Sequence, residues 1–155
     1  IGCSDSRCPS KIITQSGLGE LFIFQNIANQ FKINDLNTTS LLEYTIKSLN
    51  IQHIIICSHY SCNRVGHIID TANDTQNNNL NKWLSDVKDT YLSNQLLFTN
   101  KSIEEQKKIL VDLNIKKQVF TISNMNISNK KIIIYGLVYD LKTGYLKTLN
   151  KCDCN

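Results

Sequence analysis

Two long apolar runs constrain the fold of this chain more than any other feature. One is Ile54–Cys57, which reads Ile-Ile-Ile-Cys, and the other lies within Lys131–Val138. A continuous run, without polar alternation, is typical of a strand buried on both faces, as in parallel sheets. Val65–Ala72 and Leu80–Leu92, between the two runs, have the spacing of helices. The sequence therefore predicts an α/β fold, with a mostly parallel central β-sheet flanked by helices.

Shorter signals complete this pattern. Ser-x-x-Glu capping boxes at Ser40–Glu43 and Ser102–Glu105 predict the N-termini of two helices. Leu21–Phe24 is an apolar segment that predicts a strand. Tyr145–Leu149, after a predicted hairpin turn, is expected to form a short antiparallel return strand near the C-terminus. Because no repeat or linker divides the sequence, we expect residues 1–155 to form a single domain.

Composition excludes several classes of protein. Of 155 residues, 41% are hydrophobic and 19% are charged, a globular balance rather than a disordered one. The net charge of +4 is spread along the chain, which argues against a nucleic-acid partner. No apolar run approaches the ~20 residues of a membrane-spanning helix. We expect a cytoplasmic protein. The chain begins at Ile1, apparently inside a strand, so we expect truncation at the N-terminus, and organellar targeting stays open.

Cysteine and histidine side chains follow two of the predicted strands. Cys3 ends the first strand, and His59 and Cys62 come just after the Ile54–Cys57 run. Ligands of such sheets bind beyond the carboxyl ends of the strands. Two thiolates and one imidazole suit zinc, and three protein ligands leave a fourth position open, as in catalytic sites. The alternative is a buried Cys3 and an unrelated His–Cys pair, and spacing alone does not decide between them.

Asp5 and Arg7 alternate with Cys3 at intervals of two residues. In an extended segment, residues at this spacing share a face. Asp5 could then reach the fourth position of a metal or hydrogen-bond to its occupant, and Arg7 could hold the Asp5 carboxylate with two hydrogen bonds. The alternative is an ordinary surface salt bridge.

Short motifs occur along nearly the whole chain in a definite order. They are Cys3-Ser4-Asp5-Ser6-Arg7, Gly19-Glu20-Leu21-Phe22, Asn26-Ile27-Ala28-Asn29, Glu43-Tyr44, His59-x-x-Cys62, Asn114-Ile115 with Gln118-Val119, and Tyr135-Gly136-Leu137-Val138-Tyr139-Asp140 with Thr143-Gly144. In this order they resemble the β-class carbonic anhydrases. The Cys-x-Asp-x-Arg and His-x-x-Cys motifs at this separation are the most specific part of the resemblance.

The resemblance implies an enzyme that reversibly hydrates carbon dioxide to bicarbonate and a proton, with one zinc ion per subunit. Cys3, His59 and Cys62 would be zinc ligands. Asp5 would be either a fourth ligand or the partner of the water in that position, and Arg7 would draw Asp5 off the metal. The family's apolar substrate pocket, at a subunit interface, would include Phe22, Ile27 and Tyr44. The resemblance also implies a homodimer or a dimer of dimers.

Two departures from the family pattern leave alternatives open. Asn63 and Arg64 follow Cys62 where the family usually has glycines, and Gln25 stands where an arginine is common. Gln25 argues against the bicarbonate regulation of some members, and Asn63 and Arg64 leave open a catalytically silent, zinc-binding relative that acts as a structural or bicarbonate-sensing module. Because sequence does not show the shape of the pocket, a hydrolase of carbonyl sulfide or carbon disulfide with the same fold also stays open. Cys152 and Cys154 are a weak signal for a second metal clip.

Overall fold

The computed structural model describes residues 1–72, 76–125 and 131–154, with no side chain described for residue 154. Five strands form one sheet in the order β2-β1-β3-β4-β5. The strands are β1 Gly2–Cys3, β2 Gln25–Asn26, β3 His53–His59, β4 Ile132–Asp140 and β5 Tyr145–Cys154. Parallel pairing joins β2, β1, β3 and β4, and only β4 and β5 are antiparallel. The predicted mostly parallel α/β fold is thus confirmed.

Six α-helices and two short 3₁₀ turns connect the described strands. The helices are α1 Ser10–Thr14, α2 Leu36–Lys47, α3 Asn63–Asp70, α4 Asn79–Trp83, α5 Ser85–Ser93 and α6 Ile103–Ser123, and the 3₁₀ turns are Ile27–Asn29 and Gln95–Phe98. Among the described residues, no helix combines the length and the apolar character needed to cross a membrane.

Helix α6 covers one face of the sheet and forms the centre of the core. It packs against β3, β4, β5, α3 and α5. Ile56, Ile115 and Ile134 are among the most deeply buried side chains of this core. Gly136 of β4 allows the closest approach, because a Cβ atom there would lie 2.8 Å from Cγ2 of Ile115. The sheet and α6 together fix the position of β3, and therefore of the residues at its carboxyl end.

The predicted strand at Leu21–Phe24 is wrong. These four residues are in no strand, and pairing with β1 begins only at Gln25. A hydrogen bond from Gly2 N–H to the carbonyl of Phe24 leads into that pairing. Phe22 is 53% exposed, so apolar composition here does not reflect burial within a sheet.

The two predicted capping boxes have different outcomes. At Ser102, both reciprocal hydrogen bonds with Glu105 are present and α6 begins there. At Ser40, the prediction is wrong: the N-cap of α2 is Asp35, five residues earlier, whose side chain accepts from two backbone N–H groups. The Ser40 hydroxyl instead donates to the carbonyl of Leu36 within the helix. Since Asp35 is an equally good N-cap residue, the earlier start gives a longer helix.

Two other elements also differ in extent from the prediction. Leu80–Leu92 is split into α4 and α5 at Leu84, which is completely buried. The return strand is not short, because β5 continues through Cys154 and pairs with β4 along its whole length, across one irregularity at Gly136 and Leu137.

Candidate metal centre

The fold brings Cys3, His59 and Cys62 together at one edge of the sheet. Cys3 ends β1, His59 ends the neighbouring parallel strand β3, and Cys62 lies in the turn before α3. Their two sulfur atoms and an imidazole nitrogen all lie within 4.8 Å of one another. The three residues are only 6%, 0% and 4% exposed, respectively. Such a group could hold a metal ion.

The His59 ring presents one nitrogen that protein groups leave free. Its Nδ1–H donates to the carbonyl of Tyr60 at 3.0 Å, which fixes the ring and its tautomer. Among the described residues, no group hydrogen-bonds to the other nitrogen, Nε2, although it is buried. A buried ring nitrogen without a hydrogen-bond partner costs free energy unless something binds it. The site therefore fits a metal ion, which would bind Nε2.

The two ligand thiols are coupled to each other. Contact with Cys62, with smaller contributions from His59 and from the backbone N–H groups of Asp5 and Ala28, outweighs burial and lowers the pKa of Cys3 to about 4. The same contact with Cys3, together with burial, raises the pKa of Cys62, while the N–H groups of Arg64 and Val65 oppose this rise. A metal ion would replace the shared proton, because cysteine binds metals as a thiolate.

Asp5 and Arg7 form a bidentate ion pair beside this group. Arg7 Nε and Nη2 donate to the two Asp5 oxygens at 2.8 and 2.7 Å, and the Arg7 backbone N–H donates to Oδ1 at 3.0 Å. The guanidinium group holds the pKa of Asp5 well below its usual range, although burial acts the other way. Asp5 Oδ2 lies 3.7 Å from His59 Nε2. The carboxylate is thus anionic and adjacent to the candidate ligands.

Arg7 also contacts the second ligand-bearing segment. Its Nη2 donates to the carbonyl of Ser61 at 3.3 Å. Ser61 lies between His59 and Cys62 and has a φ of 58°, in the left-handed region that favours glycine and asparagine. Sequence reasoning did not find this contact, because it runs through a backbone carbonyl, which leaves no mark in the residue types.

Cys8 also lies near the site, although it is not among the predicted site residues. It is buried, and its backbone N–H donates to the carbonyl of Asp5. Burial lowers the pKa of His59, but the neighbouring sulfur atoms of Cys3 and Cys8 outweigh burial and raise this pKa to about 10. The only sequence signal was a cysteine five residues after Cys3.

The predicted pocket residues lie on the surface of the chain. Phe22, Ile27 and Tyr44 are 53%, 40% and 50% exposed. The rings of Phe22 and Tyr44 are in contact, with centroids 6.0 Å apart, and the carbonyl of Ile27 accepts from the Trp83 indole N–H. A cavity of about 320 Å³ is lined by Phe22 but by neither of the other two. A single chain therefore does not enclose the three in that cavity.

Asn63 and Arg64, which replace the family's usual glycines, are both exposed. They occupy the first turn of α3, directly after Cys62. Their backbone conformation is helical, so it does not require glycine.

Comparison with known proteins gives one consistent result. The sequence model of the family described as carbonic anhydrase matches residues 1–146. A carbonic anhydrase from Emericella nidulans is 33% identical over 97% of this chain and 68% of its own length. The chain spans 53% of a carbonic anhydrase from Candida albicans and 59% of one from Synechococcus elongatus, at 29% identity to each.

Solved structures agree with the sequence relatives. The Coccomyxa β-carbonic anhydrase, solved with acetazolamide, superposes with a TM-score of 0.90 at 29% identity, over 99% of this chain and 72% of that one. A β-carbonic anhydrase of Sordaria macrospora, described as tetrameric, has a TM-score of 0.90 at 27% identity, over 100% of this chain and 80% of that one. With the family match over most of its length and this fold, the chain belongs to the β-class carbonic anhydrases.

Proposed function

We propose that this protein catalyses the reversible hydration of carbon dioxide to bicarbonate and a proton, with zinc held by Cys3, His59 and Cys62. The observation that carries the proposal is the buried Cys–His–Cys group beside the bidentate Asp5–Arg7 pair. Two thiolates and one imidazole form a donor set that zinc accepts in tetrahedral geometry. A zinc ion held by these three residues would supply a nucleophilic oxygen by acidifying a water molecule.

The role of Asp5 is to orient that water for attack. An ionised carboxylate only accepts hydrogen bonds, so Asp5 would accept a hydrogen bond from the attacking oxygen and leave a lone pair of that oxygen free for the carbon of the substrate. Both Asp5 oxygens already accept from Arg7. This pairing supports an open site, in which Asp5 serves as an acceptor rather than as a fourth metal ligand.

Arg7 positions Asp5 relative to the ligands. It holds the carboxylate on one side and the Ser61 carbonyl on the other. It therefore ties the segment that carries Cys3 to the segment that carries His59 and Cys62. We assign Arg7 as a positioning residue, because it acts on the reaction through Asp5.

The substrate pocket is proposed to form at an interface with a second copy of the chain. Phe22, Ile27 and Tyr44 are the residues that would line it, and their exposure supports this. The Sordaria relative is described as tetrameric, which supports a homodimer or a dimer of dimers here. A cytoplasmic location stays a prediction, since one relative is a mitochondrial enzyme.

Stopped-flow measurement of carbon dioxide hydration, together with metal analysis, tests the proposal. We expect about one zinc per chain and a hydration rate that chelation abolishes. A protein that binds zinc without hydrating carbon dioxide would instead be the silent relative. Faster turnover of carbonyl sulfide than of carbon dioxide would identify a hydrolase of that substrate.

Arg7→Ala separates the positioning role from metal binding. We expect zinc to stay bound and hydration to fall by about 10- to 100-fold, as is typical when a partner of a metal-site residue is lost. Arg64→Ala is the matched control, because this exposed arginine lies two residues from Cys62 and its backbone N–H is retained. Full zinc occupancy with an unchanged rate in Arg7→Ala would contradict the role given to Arg7.

A further inference from the structure

Three buried amide side chains form one hydrogen-bonded cluster between α6 and the turn that follows β2. Gln30, Asn114 and Gln118 are between 0% and 2% exposed. Gln30 Nε2 donates to Asn114 Oδ1 at 2.8 Å, and Gln118 Nε2 donates to Gln30 Oε1 at 3.1 Å. Burying three amides is costly unless they pair with one another, as they do here. We call Gln30, Asn114 and Gln118 the amide cluster.

The amide cluster holds a turn of unusual backbone conformation. Ala28 and Asn29 are consecutive residues with positive φ angles of 62° and 47°. The carbonyl of Ala28 accepts from Gln30 Nε2 at 2.7 Å and from Asn114 Nδ2 at 3.1 Å. Left-handed backbone at two successive non-glycine residues is unfavourable and persists only where surrounding contacts impose it. The amide cluster supplies such contacts from α6, a distant part of the chain.

Asn26 closes the same turn from its other end. Its side chain donates to the carbonyl of Gln30 at 2.6 Å and accepts from the Gln30 N–H at 2.7 Å. The backbone of Asn26 pairs with Cys3, and its carbonyl accepts from the Ser4 N–H at 2.9 Å. The turn is therefore fixed directly against the end of β1 that carries the Cys3 sulfur.

The amide cluster also holds the chain just after the turn. Gln118 Oε1 accepts from the Phe31 N–H at 2.8 Å. Contacts from α6 therefore fix both the Ala28 carbonyl and the residue that follows Gln30, and Asn26 carries this restraint to the end of β1. Groups that fix the chain beside a metal ligand orient that ligand.

We infer that the amide cluster positions Cys3 for zinc by fixing the left-handed turn at Ala28 against the end of β1. This inference rests on the proposed zinc site and adds Gln30, Asn114 and Gln118 as positioning residues. None of the three is a metal ligand or touches the proposed substrate. Their contribution is to fix the end of β1 that carries Cys3 before the metal arrives.

The test compares Asn114→Leu with a variant that weakens the same helix elsewhere. Asn114→Leu keeps the approximate size of the side chain and removes its hydrogen bonds. Ile122→Ala is the control, because Ile122 is 2% exposed on α6 and lies one turn beyond Gln118. Zinc affinity is measured by competition with a chromophoric chelator, at a temperature where unfolding measurements show that both proteins are folded. Thiolate-to-cobalt absorption of the Co(II)-substituted proteins reports on the ligand sulfurs independently of activity.

We expect Asn114→Leu to bind zinc about 10- to 100-fold more weakly and to alter the thiolate-to-cobalt band. We expect Ile122→Ala to lower stability without either effect. Equal zinc affinity and identical cobalt spectra in wild type, Asn114→Leu and Ile122→Ala would overturn the inference, whereas a wild type that binds no zinc would overturn the proposed function as well. If Asn114→Leu does not fold, Gln118→Met decides by the same criteria, because it removes only the outer member of the cluster.

Discussion

Asp5 is held by three hydrogen bonds from a single residue, Arg7. These hydrogen bonds form only in the folded protein, so folding stabilises the ionised form of Asp5. In unfolded protein an aspartate has a pKa of about 3.9, and the Arg7 guanidinium lowers the pKa of Asp5 below its usual range in the fold. Because the folded-state pKa is the lower one, the pair stabilises the protein above about pH 4, and the stabilisation is lost as pH falls further.

Arg7→Leu is therefore expected to cost less stability in acid than at neutral pH. Urea unfolding at several pH values, with a chelator present to keep metal off the protein, gives the free energy of unfolding of wild type and variant. We expect the difference between them to be constant above about pH 5 and to shrink below about pH 4. Arg64→Leu serves as the control and should show no such trend. A difference for Arg7→Leu that stays the same from neutral to acid pH would contradict this account.

At the scale of single elements, Gly136 shows how tightly β4 and α6 fit. An added Cβ would lie 2.8 Å from Cγ2 of Ile115 and 3.2 Å from Cγ2 of Val119. Both contacts are branch methyl groups close to a helix backbone, so neither can move freely. We expect Gly136→Ala to destabilise the protein by about 1–3 kcal/mol, the usual cost of overpacking, as measured by chemical denaturation.

Gly17→Ala provides the control for Gly136→Ala. There the nearest atoms to an added Cβ belong to the Glu20 side chain at 3.6 Å, an ordinary contact. We expect a change in the free energy of unfolding within about 0.5 kcal/mol. Equal losses in the free energy of unfolding for the two substitutions would show that close packing does not restrict position 136 to glycine.

The start of α6 depends on its capping box. The Ser102 Oγ accepts from the Glu105 N–H at 3.3 Å, and Glu105 Oε2 accepts from the Ser102 N–H at 2.8 Å. Ser102→Ala is expected to lower the free energy of unfolding by about 0.5–2 kcal/mol, whereas Ser102→Thr should retain most of the wild-type stability. Thermal or urea unfolding distinguishes the two variants. An equal loss of stability in both would argue against a stabilising role for the Ser102 hydroxyl.

Elements that carry a strong local signal were the predictable ones. The continuous apolar runs of β3 and β4, and the capping box at Ser102, specify their structure within a few residues of sequence. The strand expected at Leu21–Phe24 fails because an apolar segment becomes a strand only where a partner is in register, and β1 pairs with Gln25–Asn26 instead. The competition between Asp35 and Ser40 as N-caps likewise depends on which helix length packs best.

The candidate site was predictable to the same degree. Cys3, Asp5, Arg7, His59 and Cys62 stand in recognisable motifs, and the fold brings them together. The contact of Arg7 with the Ser61 carbonyl and that of Asn114 with the Ala28 carbonyl involve backbone groups. Every residue type has these groups, so the contacts depend on chain path and not on sequence pattern. Assignment of residues 1–155 to a single domain stays a prediction.

At the scale of the whole molecule, metal binding would link distant parts of the chain. Cys3 comes from β1, whereas His59 and Cys62 come from β3 and the turn after it. Zinc bound only by the folded protein stabilises it by about 2.7 kcal/mol when free zinc is 100 times its dissociation constant. We expect chelation to lower Tm by roughly 5–10 °C for a chain of this size.

Differential scanning calorimetry at fixed protein concentration measures this shift, and restored zinc should reverse it. Cys62→Ser, which replaces one sulfur ligand, should show a much smaller dependence of Tm on zinc. If the chelator leaves the Tm of the wild-type protein unchanged, no metal links the two strands.

The two edge strands of the sheet differ greatly in length, and this difference affects how readily the protein aggregates through its sheet edges. Within the described chain, β2 offers only two residues at one edge, whereas β5 offers ten at the other. An edge strand of two residues offers few backbone groups for another chain to pair with. A long edge strand presents a row of N–H and C=O groups with which a strand of another chain can pair. Exposed Lys147 and Lys151 lie along β5, and lysines on an edge strand oppose sheet-to-sheet aggregation. Neutralising those two charges would be the simplest way to turn this protein into an aggregating one.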